Sequence, residues 1–237
     1  MSARGPAKAF LLAAGLGTRL KPLTDKTPKC LVPVGGKPVL HWWLTVCERL
    51  GVREVLLNTH HLADQVRDFV AARTGGPKVT LFHEPELLGS AGTLAANKDF
   101  VKGEEDFWVF YADTLIGGDL APLAALRRER GADLALGLFR SPDPSSGGVV
   151  ELSPDGRVLS FEEKPADPKS DLVAAGAYAA GPALLGALPS GRGDLSRDAY
   201  PKLMGNAVGL VLDPVIDLGT PERYAQARKE FSRFGFR

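Results

Sequence analysis

The chain has 237 residues, with 29 Lys and Arg against 28 Asp and Glu and a net charge of +1. At 44% hydrophobic and 24% charged residues it can bury a sizeable core, and it has neither the basic surface a nucleic acid needs nor a disordered acidic tail. No apolar run is long enough to span a bilayer, and Cys30 and Cys47 lack metal or redox spacing, so they read as reduced packing residues.

The N-terminus leads into an apolar run that glycines close at once. It reads as a poor signal peptide, so the expected location is cytoplasmic. Residues 9–14 are uniformly apolar, as in a strand covered on both faces. Gly15 and Gly17 follow, allowing positive φ and close backbone approach, so that successive N–H groups can form an anion nest; Arg19 and Lys29 add full positive charges. Pro38 opens a helix over 39–50 that Gly51 stops, with Trp42 and Trp43 as packing residues. A strand at 54–58 and a helix at 62–73 come next. Buried strands at 79–82, 107–111 and 134–138 then alternate with helices at 94–100 and 120–130.

This alternation predicts an α/β fold with a doubly wound, mostly parallel, Rossmann-like sheet whose ligands lie beyond the carboxyl ends of the strands. The pattern changes after Phe139. Strands at 149–152 and 158–161 flank the turn Ser153-Pro-Asp-Gly156 as a small β-hairpin subregion. A strand at 175–180, a helix at 195–203, a strand at 209–212 and a helix at 221–231 capped by Thr220 complete the chain. The division expected is one domain over 1–237, with a nucleotide-binding part at about 8–139, a sugar-binding part at about 140–220 and a C-terminal helix over 220–237.

Common glycine motifs do not account for the first turn. A dinucleotide fingerprint would need glycine where Leu20 stands, and no Walker A loop occurs. The longer form, Gly15-Leu-Gly17-Thr18-Arg19-Leu-Lys-Pro-Leu-Thr24 with Thr27-Pro-Lys29 beyond it, resembles the signature of the sugar nucleotidyltransferases, also called nucleotide-sugar pyrophosphorylases. The resemblance runs from about Lys8 to Tyr224. In style it is nearest the short mannose-1-phosphate and heptose-1-phosphate guanylyltransferase-like proteins. It implies a Mg²⁺-dependent enzyme that joins an NTP and a sugar 1-phosphate; with only a few residues after the helix that follows Asp217, the left-handed β-helix tail of some relatives is not expected. Assembly stays open between monomer and homodimer.

Four further segments match in the same order. Asp113, in Tyr111-Ala-Asp-Thr, ends an apolar strand where a carboxylate can hold Mg²⁺ or cap a helix. Asp217, in Val215-Ile-Asp-Leu-Gly-Thr-Pro, is by resemblance the second carboxylate on the metal. The resemblance also places Ala13, Ala14, Gly15, Gly17, Thr18 and Arg19 at the nucleotide, with Arg19, Lys29, Asp113 and Lys164 in catalysis. In Phe161-Glu-Glu163-Lys164-Pro it implies that Glu163 accepts from sugar hydroxyls and Lys164 holds the sugar phosphate, with Gly148 and Gly176 where the backbone nears the sugar. One departure is Gly147, where some hexose-specific relatives carry an aromatic residue.

In His83-Glu84-Pro-Glu-Leu-Leu-Gly89 the base is read, by resemblance, through Glu84 and the backbone near Gly89. A carboxylate can accept both guanine N1–H and the exocyclic amine, so Glu84 leans towards GTP; a mannose- or heptose-type 1-phosphate as the second substrate is what the resemblance implies. The alternatives are uridylyl or thymidylyl transfer to a glucose- or N-acetylated sugar 1-phosphate, a cytidylyltransferase acting on an alcohol phosphate, and a catalytically silent nucleotide-sugar sensor. The four histidines show no metal-ligand spacing.

Overall fold

A computed structural model describes residues 5–236. Residues 1–4, part of the segment read as a poor signal peptide, and residue 237 lie outside the described residues. Two compact units are formed: Met1–Leu87, Phe110–Gly118 and Pro214–Arg237 make the first, and Leu88–Val109 with Asp119–Asp213 the second. Both are assembled from segments distant in sequence.

In the first unit, the strand Lys8–Leu12 pairs in parallel with Glu54–Thr59, which pairs in parallel with Lys78–His83. Ala9, Phe10 and Leu11 are fully buried, as the apolar run requires. The strand Lys78–His83 is less buried than its sequence suggested, with no residue fully enclosed, because it has a strand on only one side. The chain re-enters this unit at Phe110, and the Ala112 amide donates to the Leu12 carbonyl at 2.9 Å.

The helix Val39–Arg49 carries both tryptophans into the core. Trp42 Nε1 donates to the Val34 carbonyl and Trp43 Nε1 to the Thr114 carbonyl, which satisfies the one polar atom of each ring. Phe231 packs against Gly35, whose φ of +60° no side chain would readily adopt. A short antiparallel pair, Thr114–Ile116 with Val215–Asp217, was not foreseen. The helix Pro221–Lys229 has Thr220 as N-cap, its hydroxyl accepting from the Arg223 amide.

The second unit holds the strands Leu134–Arg140, Gly148–Leu152, Val158–Glu163, Leu172–Ala180 and Ala207–Val211. The expected hairpin is present, Val158–Glu163 running antiparallel to Gly148–Leu152 around Gly156 at φ +84°. Leu172–Ala180 pairs antiparallel with Leu134–Arg140, and Ala207–Val211 parallel with it.

Two helices differ from their expected form. The one placed at 94–100 begins at Gly89 and ends at Ala96, with a separate 3₁₀ turn Lys98–Val101. The one placed at 195–203 is a π turn, Leu195–Ala199, followed by a 3₁₀ segment, Tyr200–Asn206. Pro201 supplies no amide and its ring crowds the preceding turn, so a regular helix cannot pass through it. Among the described residues no helix is long and apolar enough to cross a membrane.

Candidate functional site

Within the first unit the strand Lys8–Leu12 ends in the turn Ala13-Ala14-Gly15-Leu16-Gly17. Of the two glycines only Gly17 is left-handed, at φ +64°; Gly15 does not use that freedom. A Cβ on Gly15 would meet no protein atom within 4 Å. Nothing in the chain itself requires glycine there, and the exposed backbone is open to a close approach from outside. Gly17 is fixed from below. The Thr24 hydroxyl donates to its carbonyl at 2.7 Å, and a Cβ would strike Thr24 Cγ2 at 2.8 Å. His61 Nε2 in turn lies 2.8 Å from the Thr24 carbonyl.

Four of the residues singled out in the sequence gather here. Lys29 Nζ lies 2.8 Å from Asp113 Oδ2. Asp217 joins Asp113 through the backbone, because Asp217 is in register with Thr114 and the Leu218 amide bonds the Asp113 carbonyl. Arg223 Nη1 is 3.5 Å from Asp217 Oδ2. A Cβ on Gly219 would sit 2.7 Å from Arg19 Nη2 and 2.9 Å from Asp217 Oδ2, so this glycine makes room for the two opposite charges.

The two carboxyls respond differently. Burial would raise Asp113, but the charge and hydrogen bond of Lys29, with Arg19 adding to them, hold it below the ordinary carboxylate range. Asp217 is pushed up by burial and by the Asp113 charge, against the pull of Lys29, Arg223 and Arg19. Among the described residues no three His, Cys, Asp or Glu gather as a metal cage. A pair of adjacent carboxylates, one of them resisting ionisation, fits a hard dication that completes its shell with phosphate oxygens and water.

Glu84 is not in this group. Its side chain is 1% exposed and its Oε1 accepts from Asn58 Nδ2 at 2.8 Å. The expectation that its carboxylate reads a base therefore meets an obstacle, since burial leaves little of it for a ligand.

The second unit brings together Gly148, Glu163 and Lys164. Glu163 is in register with Gly148, and a Cβ on Gly148 would meet Phe161 Cζ at 2.6 Å and Glu163 Oε2 at 3.2 Å. Lys164 has φ +52°, a region costly for any residue but glycine, and its amide bonds the Gly147 carbonyl at 2.9 Å. Its ammonium lies 3.8 Å from Glu163 Oε1 and stays half exposed. Gly176, at φ +76°, lies where the pairing of Leu172–Ala180 shifts register, a conformation glycine supplies. Gly89, at φ +75°, faces the Gly193 carbonyl so closely that a Cβ would collide with it. Gly147 is extended, and a Cβ there would strike Val173 Cγ1 at 2.6 Å.

The sequence reading passed over Asn58, Arg223 and the packing role of Gly219. Asn58 did leave a signal, a polar residue ending the apolar run Val55-Leu-Leu, the same signal that drew attention to Asp113.

Comparison with known proteins extends these observations. A glucose-1-phosphate thymidylyltransferase of Streptomyces griseus is 39% identical over 193 residues, covering 79% of this chain and 54% of that one. A mannose-1-phosphate guanylyltransferase of Mycobacterium tuberculosis is 31% identical over 232 residues, covering 95% and 64%. The chain thus spans between about half and two thirds of the length of these curated relatives. The crystal structure of HddC from Yersinia pseudotuberculosis superposes with a TM-score of 0.79 at 26% identity, over 95% of this chain and 99% of that one. A Bacillus anthracis structure, at TM-score 0.81 and 22% identity over 97% of each chain, shares the fold, an α/β architecture with a central, mostly parallel sheet. The sequence pattern described as Nucleotidyl transferase matches residues 8–232, and this chain belongs to that family.

Proposed function

We propose that the protein transfers a nucleotidyl group from an NTP to a sugar 1-phosphate, releasing pyrophosphate. The observation that carries this reading is the cluster of Arg19, Lys29, Asp113 and Asp217 beside an open glycine turn. Both substrates are multiply anionic, and two unit charges ~4 Å apart repel by roughly 4 kcal/mol at an effective dielectric near 20. Neutralisation must therefore accompany approach. Asp113 and Asp217 would hold Mg²⁺, which when bound offsets phosphate charge.

The turn amides and Arg19 take the β- and γ-phosphates, and Lys29 stabilises the reacting phosphates. Glu163 accepts from sugar hydroxyls, and Lys164 holds the sugar phosphate. That phosphate is already deprotonated, so its oxygen attacks the α-phosphorus in line without a protein base, and pyrophosphate leaves.

For the base and sugar, GTP with a mannose- or heptose-type 1-phosphate is the first reading. The Mycobacterium guanylyltransferase and a solved HddC complex with GMP-PN, at 27% identity, support it; the buried Glu84 carboxylate does not. Thymidylyl or uridylyl transfer to glucose 1-phosphate is the second, favoured by the 39% identity to the Streptomyces enzyme. Pyrophosphate release, measured for each NTP against mannose, heptose, glucose and N-acetylated sugar 1-phosphates, tests both. The best pair identifies the substrates, and no release with any pair refutes the proposal.

A further inference from the structure

At the end of the strand Glu54–Thr59 a single side chain joins two loops. The Ala13 amide donates to Asn58 Oδ1 at 2.6 Å, and Asn58 Nδ2 donates to Glu84 Oε1 at 2.8 Å. Chemistry fixes the order of this chain. A backbone N–H can only donate, so it must meet the oxygen of the amide, and the Asn58 nitrogen is left to face Glu84 as a donor to an acceptor. Asn58 is 4% exposed and Glu84 1%, and at such burial each polar atom needs its partner.

The next two residues reinforce the hold on Glu84. Its amide donates to the Thr59 carbonyl at 2.8 Å, and its carbonyl lies 2.7 Å from His60 Nδ1, which must then carry the proton. Residues 58, 59 and 60 thus fix residue 84 at three points, while residue 58 also fixes the first amide of the glycine turn. Asparagine is a poor strand former with an expensive side chain to bury, and its place here is explained by that double attachment.

We infer that Asn58 is a positioning residue for the nucleotide: it locks the glycine turn to the loop that begins at Glu84. This rests on the transferase reading above, with the turn taking the triphosphate. Asn58 touches no reacting atom in that scheme and acts through Ala13 and Glu84. The signature of such a role is a loss of NTP affinity with little change towards the sugar 1-phosphate.

Three variants test it. Asn58→Ala removes both bonds; the Ala13 amide should exchange with solvent faster in ligand-free protein, and the KM for NTP should rise about tenfold or more. Asn58→Asp keeps the acceptor for Ala13 but sets a second carboxylate against Glu84, with a KM at least as high. Adding Glu84→Gln to Asn58→Asp restores a donor between the two side chains with the direction reversed, in nearly unchanged volume, and should recover much of the loss. The KM for sugar 1-phosphate should stay within about twofold throughout. Unchanged Ala13 exchange and KM in Asn58→Ala, or a double variant no better than Asn58→Asp alone, overturns the inference. Wild-type protein inactive with every NTP would instead overturn the transferase reading, and the ligand-free exchange of Ala13 would still decide whether Asn58 holds the turn.

Discussion

The Leu218 amide donates to the Asp113 carbonyl at 2.8 Å, so the main chain sets the spacing of two carboxylates that stand about a hundred residues apart in sequence. Their side chains are left for charge, because the pairing beneath them is made by main-chain atoms alone.

Asp113→Asn should therefore leave the fold intact, since the amide oxygen can still accept from Lys29. Pyrophosphate release should fall by about 10²-fold or more. Arg19→Ala should act alike, and because Arg19 is exposed its melting temperature should scarcely move. Full turnover in either variant would remove the basis for this site.

Gly219→Ala probes the same site through packing. The added methyl would stand within 3 Å of Arg19 Nη2 and Asp217 Oδ2, and both must shift to admit it. A displacement of about 1 Å in a positioning group can cost about 10²-fold in rate. The kcat should drop well before stability does, and a variant with wild-type kcat would show that the two side chains move without consequence.

Asp217 makes a prediction with a definite sign. Burial and the Asp113 charge raise its carboxyl in the folded protein, so its contribution to stability is fully present below the unfolded pKa and is lost as pH rises through the folded one. In a chelator at pH 7, Asp217→Asn should raise the melting temperature while abolishing activity. The gain should vanish below about pH 4, where the wild-type carboxyl is protonated in both states. A lower melting temperature at pH 7 would contradict the electrostatic account.

Cys30 and Cys47 are buried and free, and burial pushes both thiols up to about 12. Native protein at pH 8 should resist iodoacetamide, and denatured protein should take up two labels per chain. A raised thiol pKa stabilises up to the ordinary value near 8.5 and loses that contribution as pH climbs towards 12, so stability should decline on the alkaline side. Rapid labelling of the folded chain would mean that the core around these residues opens.

Elements defined by local signals were readable in advance. The strand Lys8–Leu12 announced itself by an unbroken apolar run, and the helix Val39–Arg49 by Pro38 before it and Gly51 after it. The strand Lys78–His83 was recognised as a strand but misjudged as buried, because its apolar content does not reveal how many neighbours it has. The pairing of Thr114–Ile116 with Val215–Asp217 could not be read at all, since three-residue strands carry no period and their partners are distant. Among the candidate site residues, Arg19, Lys29, Asp113 and Asp217 were singled out by motif, and the structure gathers them in one cluster. Glu84 was singled out too, but it is buried outside that cluster, and its neighbour Asn58 belongs to a contact 26 residues away that no motif records.

The contact between position 147 and Val173 constrains how this protein can change. Gly147 has an ordinary extended backbone, so any residue could adopt its conformation; only the Val173 methyl, 2.6 Å from where a Cβ would stand, forbids one. A lineage that acquires a larger residue at 147 must first shrink position 173, because the reverse order passes through an overpacked intermediate. Substitutions at these two sites should thus be ordered in descent, with a smaller residue at 173 appearing before any side chain at 147.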